Sequence, residues 1–324
     1  MRAEAAGKKA IKVVSGAVNL AVLAIVVFLI AFAGYALWDS EQIYQAADKA
    51  NYAVYKPAIA DEGKSFQELQ ALNNEVFAWL SVYGTHIDYP VTQGRDNLKY
   101  VNNNAEGLYS LSGSIFLDYQ NSRNFSDFNS ILYGHHMEKN AMFGEIGTFS
   151  DEAVFDTRRY GNLYYGGKDH GLEFFAFLHT DAYDRAVFAP NVGEEQRRAY
   201  LDGLLEKARY KRDIGVSVRD HIVLLSTCSS SSTNGRDLLI ARITDEIYDD
   251  PFLKTDTREK PGGLPGGFGQ GGPGAGVAPG TWVLLGLTAA LLTLLALAVI
   301  RKYRDKKSKS IGKENRDQWW WEEC

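Results

Sequence analysis

Apolar and polar positions divide the chain into two textures. Val13 to Trp38 carries no charged residue, and Thr281 to Ile300 repeats the pattern. Each run is long enough to cross a hydrocarbon core of about 30 Å. Between them, short β-rich runs alternate with breaks of Gly, Asn, Asp and Ser. These runs are 86–92, 114–119, 129–133, 172–178, 185–189, 221–228 and 236–243. Many short strands with polar turns predict a barrel or a sandwich. Two helical patterns interrupt them. Ser65-Phe-Gln-Glu68 has the spacing of a capping box. Phe66, Leu69, Leu72, Val76 and Leu80 then recur at three- and four-residue intervals, which predicts a helix packed on the domain. Glu194 to Lys211, rich in Glu, Arg, Leu and Ala, predicts a second helix inserted between strands.

Charge gives the apolar runs a direction. Arg2, Lys8, Lys9 and Lys12 precede the first, and Arg301, Lys302, Arg304, Lys306, Lys307 and Lys309 follow the second. Cationic flanks stay on the cytoplasmic side. Both termini are therefore expected in the cytoplasm, with everything between the runs outside it. Ala31-Phe32-Ala33 resembles a signal-peptidase site. The apolar run before it exceeds the usual h-region of about 7–15 residues, so an uncleaved anchor is expected.

The resulting plan is a cytoplasmic N-terminus (1–12), a transmembrane anchor (13–38) and a helical stalk (39–64). An extracytoplasmic domain (65–250), a Gly/Pro-rich linker (251–280), a second transmembrane helix (281–300) and a basic cytoplasmic tail (301–324) follow. Residues 261–280 hold ten Gly and four Pro. That composition cannot bury a core and predicts a flexible tether spanning about 25 Å. The chain ends Trp319-Trp-Trp-Glu-Glu-Cys324, which suits interfacial anchoring or lipidation of the cysteine.

Net charge is −5, which offers no basic footprint for nucleic acid. The two cysteines, Cys228 and Cys324, exclude a disulfide-rich scaffold. Cys228 is the only one between the apolar runs. It ends the run His221-Ile-Val-Leu-Leu-Ser-Thr-Cys228. A Ser-rich stretch closes with Asn234-Gly235, a strong turn pair, and a second run starts at Arg236. Paired as a hairpin, these runs hold a thiol and a guanidinium at one rim of a sheet.

A thiol reacts as its thiolate, and a nearby imidazole can activate it. Of six histidines, His135 follows the strand-like run Ser-Ile-Leu-Tyr and a glycine, the position from which rigid scaffolds present reactive groups. His86, His170, His179 and His221 lack that context and read as surface or structural residues. Other readings stand beside these. Cys228 fits a small buried hydrophobe, Arg236 a surface ion pair, and Tyr133-Gly-His-His-Met137 an ordinary strand-to-loop transition. A serine nucleophile within Ser229–Ser232 lacks the Gly-x-Ser-x-Gly frame. No metal site is expected, since neither a second nearby cysteine nor a paired histidine spacing supports zinc.

Taken together, Leu225-Ser-Thr-Cys228, Arg236 eight residues on, and Tyr133-Gly-His135 upstream resemble the signature of the sortases, membrane-anchored cysteine transpeptidases of Gram-positive bacteria. Trp79-Leu80, Ile87-Asp-Tyr-Pro-Val91, Gly113-Ser-Ile-Phe-Leu-Asp118 and Met142-Phe143 further resemble class B sortases, as does the long His-to-Cys separation with its inserted helix. The resemblance spans residues 65–248.

It implies a mainly β fold: a closed eight-stranded barrel with N-terminal helices and an inserted helix, flanked by two transmembrane helices. It implies that Cys228 forms a thioacyl enzyme with a sorting-signal threonine and that His135, rather than His136, is general acid and base. Arg236 would hold substrate and oxyanion, and Ser226 and Thr227 would line the groove. No cofactor is implied. The partners implied are surface proteins bearing a C-terminal sorting signal, an amine acceptor of the cell wall, and the membrane. The second apolar run is commoner in pilus-building sortases, so a pilin polymerase with a lysine acceptor is an alternative. A non-enzymatic membrane-tethered binding domain and a secreted cysteine peptidase are others.

Overall fold

The computed structural model describes residues 2–57, 64–228 and 234–253. The Gly/Pro tract, the second apolar run, the basic tail and the Ser229–Ser232 stretch lie outside the described residues. The chain divides into two units, one holding the residues up to Ser40 and one running Glu41–Pro261. Helix α1 is continuous over Arg2–Ala46, and its Ile11–Ala46 portion is long and apolar enough to cross a membrane.

The stalk predicted as helical over 40–60 does not continue as one helix. After Ala46 it breaks into two 3₁₀ turns, Lys49–Asn51 and Ala53–Tyr55. Asp48 is the cause: its side chain accepts the Ala50 N–H at 2.9 Å and caps a new turn. Tyr52 then turns inward to 3% exposure and meets Tyr89 edge-on.

Nine strands form one sheet: β1 Val76–Val82, β2 Asp88–Thr92, β3 Ile115–Leu117, β4 Asn129–Tyr133, β5 Tyr160–Tyr165, β6 Lys168–Asp181, β7 Tyr210–Lys211, β8 His221–Cys228 and β9 Gly235–Thr244. Eight of them close a ring in the order β5-β1-β2-β3-β4-β8-β9-β6, because β5 pairs with both β1 and β6. The two-residue β7 adds to β6 outside the ring. The expected eight-stranded barrel is present. Its ladders are antiparallel except β2–β3 and β4–β8.

Both faces of the strands at the site are covered. Val223 and Leu225 of β8, with Leu239 and Ala241 of β9, join the main core. Ile222, Leu224, Leu238 and Ile240 join a second cluster, where the helix Arg197–Lys207 lays down Leu201 and Leu204. Burial on two faces explains why these strands read as unbroken apolar runs rather than alternating ones. Burying each of those two leucines stabilises the fold by about 1.5–3 kcal/mol.

Two sequence expectations fail for identifiable reasons. The helix α2 covers only Lys64–Leu72, and Val76 and Leu80 lie in β1. A four-residue interval fits the helical period and the period of two alike, so spacing alone could not separate them. Asn73 ends the helix. Its amide donates to Tyr100 Oη at 2.9 Å and to the Ala105 carbonyl at 2.8 Å, and its Oδ1 accepts the Glu75 N–H. Such bonds draw the backbone away from a helical path.

The 185–189 run is a turn instead of a strand. The Asp184 carbonyl accepts the Val187 and Phe188 N–H groups, and its carboxylate accepts the Ala186 N–H and the Thr180 hydroxyl. The apolar residues of this turn still bury surface: Val187 joins the second cluster, and Phe188 stacks on Tyr133 with ring centroids 6.4 Å apart.

Candidate active site

Three adjacent strands end together. β4 runs parallel to β8, with Tyr133 opposite Ser226. The Gly134 N–H donates to the Ser226 carbonyl at 3.2 Å, so the ladder continues one residue beyond the strand. His135 follows Gly134 directly, two residues past the end of β4, as Cys228 stands two residues past Ser226 on β8. β9 returns antiparallel, with Arg236 the backbone partner of Cys228 and Asp237 that of Thr227. The antiparallel pair expected from sequence is therefore present, and a parallel neighbour carries His135 toward its connected end.

A cleft of about 410 Å³ opens there, lined by His135, Ser226, Thr227 and Arg236 among others. Asn97, Phe116, Tyr133 and Phe188 form its other walls. Thus four of the five residues expected at the site share one cleft. The fifth, Cys228, is placed by its backbone at the end of β8.

The His135 ring is fixed by a carbonyl. Its Nε2 lies 2.7 Å from the Val101 oxygen. A carbonyl only accepts, so Nε2 carries a proton and Nδ1 is the nitrogen left to exchange one. Two glycines make this geometry possible. Gly134 has no room for a side chain: a Cβ would come within 2.6 Å of Ile115 Cδ1 and 2.7 Å of the Phe143 ring. Gly113 has φ +58°, and a Cβ there would strike the Tyr100 and Val101 carbonyls at 2.6 Å. Its ideal Cβ position is also 3.1 Å from His135 Cδ2, so the ring packs on bare backbone.

The far wall is organised by Asp118, a residue 3% exposed. Its Oδ2 accepts the Tyr133 hydroxyl at 3.0 Å and the Asn97 amide at 2.8 Å. Burial, reinforced by the charge and hydrogen bond of Asp118, pushes the Tyr133 phenol far up, so it stays a neutral donor. Thr227 differs: its hydroxyl is buried at the cleft with no hydrogen-bond partner among the described residues. Arg236 Nη1 donates to the Gly235 carbonyl at 2.9 Å.

The remaining histidines have other employment. His86 bonds Glu145, His179 bonds Asp237, His221 meets the Asp127 carbonyl, and His170 stacks on Tyr165 at 3.8 Å. His136 pairs with Met142 in an isolated bridge, and its Nδ1 is buried without a partner among the described residues. Sequence reasoning missed Asn97, Phe116, Phe188 and Asp118. The first three come from separate loops and strands whose meeting only the fold determines. Asp118 ends a motif noted in the sequence, yet its task depends on both its partners being nearby.

No family model matches the chain. A curated relative, sortase B of Staphylococcus aureus, is 31% identical over 183 residues, which cover 55% of this chain and 74% of the relative. Among solved structures, sortase B from the type II pilus of Streptococcus pneumoniae is 48% identical with TM-score 0.50, matching 56% of this chain and 99% of that one. A Streptococcus pyogenes class B sortase involved in pilus biogenesis is 38% identical with TM-score 0.52, over 56% of this chain and all of its own.

Proposed function

This chain belongs to the sortase family, cysteine transpeptidases, and is similar to its class B members; on that premise we propose that it cleaves a C-terminal sorting signal and transfers the protein carrying it to an amine. Cys228 is the nucleophile in this reading. Its thiolate adds to the carbonyl of the sorting-signal threonine, and the negative charge on oxygen is held by Arg236. The C–N bond breaks, His135 gives its proton to the leaving amine, and a thioester remains. An incoming amine then loses a proton to His135 and attacks the thioester, which releases the thiolate. Holding reactants in this order is where such a site gains most of its rate.

The observation that carries this reading is the convergence of β4, β8 and β9, which brings His135 and Arg236 to one cleft at the backbone position of Cys228. Ser226 and Thr227 form the groove beside it. Helix α1 is the membrane anchor, with the barrel outside the cell and both termini inside. Purified protein with a sorting-signal peptide and an added amine should yield the transfer product. Retention of that activity in Cys228→Ala would overturn the assignment.

Two amine acceptors are consistent with the site. The leading one is an amine of the cell wall. A pilin lysine is the second, favoured by likeness to the two pilus-associated enzymes. Competition between a wall-type peptide amine and a lysine-bearing pilin separates them, since the natural acceptor should win at equal concentration.

A further inference from the structure

The loop after His135 is closed at its neck and unusual at its tip. Phe143 N–H donates to the His135 carbonyl at 3.0 Å, and His136 bridges Met142. Within that neck, Lys139, Asn140 and Met142 all have left-handed backbone, with φ of 57°, 61° and 49°. Side chains other than glycine rarely adopt it, so surrounding contacts must hold the loop in this shape.

Those contacts come from the last turns of α1 and the residues that follow it. Lys139 Nζ meets Glu41 Oε2 at 2.5 Å and lies 4.6 Å above the Tyr44 ring. The Tyr89 hydroxyl, itself buried, donates to the Ala47 carbonyl at 3.0 Å and accepts the Met142 N–H at 3.2 Å. Tyr52 packs edge-on against Tyr89. A continuous path therefore runs from Glu41 and Ala47 through Lys139, Tyr89 and Met142 to Phe143 and the His135 backbone.

We propose that Glu41 to Tyr52, the segment emerging from the apolar span, is a brace that positions His135 by holding the loop Met137–Phe143 in its strained form. Glu41, Lys139 and Tyr89 are then positioning residues that touch no substrate. The anchor exit and the proton carrier are mechanically one piece, so a barrel cut free before Tyr52 would keep its fold and transfer more slowly. This inference rests on the role of His135 proposed above.

The test uses the full chain in detergent, with peptide transfer measured at saturating amine. Glu41→Lys and Lys139→Glu are exposed changes on a pair that contributes little to global stability. Each alone should lower kcat about 3–10-fold with peptide KM and melting temperature unchanged, because a small displacement of a reacting group is costly in rate. The double reversal Glu41→Lys with Lys139→Glu should restore kcat to within about twofold. Tyr89→Phe should lower kcat likewise. Unchanged kcat in both single reversals overturns the brace, provided His135→Ala abolishes transfer. If His135→Ala keeps transfer, the functional reading fails first and the brace with it.

Discussion

Arg236 is the backbone partner of Cys228 at the end of the β8–β9 pair next to the segment that connects the two strands. Antiparallel register places partnered residues about 4.5–5.5 Å apart at the backbone. A guanidinium on the strand position next to the cysteine is in reach of an oxyanion that would form on a carbonyl bound there. Arg236→Ala should therefore lower kcat/KM by about 10²–10³, the range seen when one oxyanion donor is lost. Arg236→Lys should recover only part, because an ammonium lacks the planar fork. Steady-state kinetics with a sorting-signal peptide measures both, and full activity in Arg236→Lys would count against a role for the fork.

Gly134→Ala tests the turn that presents His135. The added methyl would lie 2.6 Å from Ile115 Cδ1 and 2.7 Å from Phe143. Overpacking of this kind costs about 1–3 kcal/mol in chemical denaturation. Activity should fall further than that loss of folded protein explains, since His135 moves with the backbone. A variant with full activity per folded molecule would show that the turn has slack.

Thr227→Val should separate stability from activity. The hydroxyl is buried without a partner among the described residues, and such a group carries a desolvation cost with no compensating bond. The near-isosteric valine should leave stability unchanged or raise it by about 1 kcal/mol, read as the urea midpoint. Transfer should fall, because the cleft loses a polar group available to substrate. A clear drop in stability would mean that the hydroxyl has a partner in solution.

His170 predicts a pH limb. Burial holds its imidazole below the ordinary value of 6.5, and nearby Lys168 acts in the same direction, while the Leu163 carbonyl opposes both. The unfolded chain then binds a proton more readily than the folded one. Stability from this residue is full above pH 6.5 and is lost as pH falls from there toward the lower folded value. His170→Phe, which keeps a ring against Tyr165, should flatten melting temperature against pH below 6.5 relative to the parent. Parallel curves would remove His170 as the cause.

Much of this arrangement was legible in the sequence. The β8–β9 hairpin was, because its strands are apolar on both faces and Asn234-Gly235 punctuates them. His135 was, through the glycine before it. The extent of α2 was not: Val76 and Leu80 satisfy two periodicities at once, and the arbiter is Asn73, whose amide finds partners in a loop some thirty residues away. The 185–189 run failed similarly, because Asp184 is a local competitor that an apolar count ignores. Asn97 and Asp118 needed the fold itself. Their meeting at the cleft depends on β3 lying next to β4, and nothing in either short segment encodes that neighbour.

The ring closes only through β9, which completes the open edges of both β8 and β6. During synthesis it is the last strand to emerge. Until then the barrel is an open sheet with two unsatisfied rims, the kind that invite pairing with other chains. The strand that seals the barrel also carries Arg236, so a chain that lacks β9 has neither a closed ring nor the Arg236 wall of the cleft. Completion of the barrel and completion of the cleft therefore coincide.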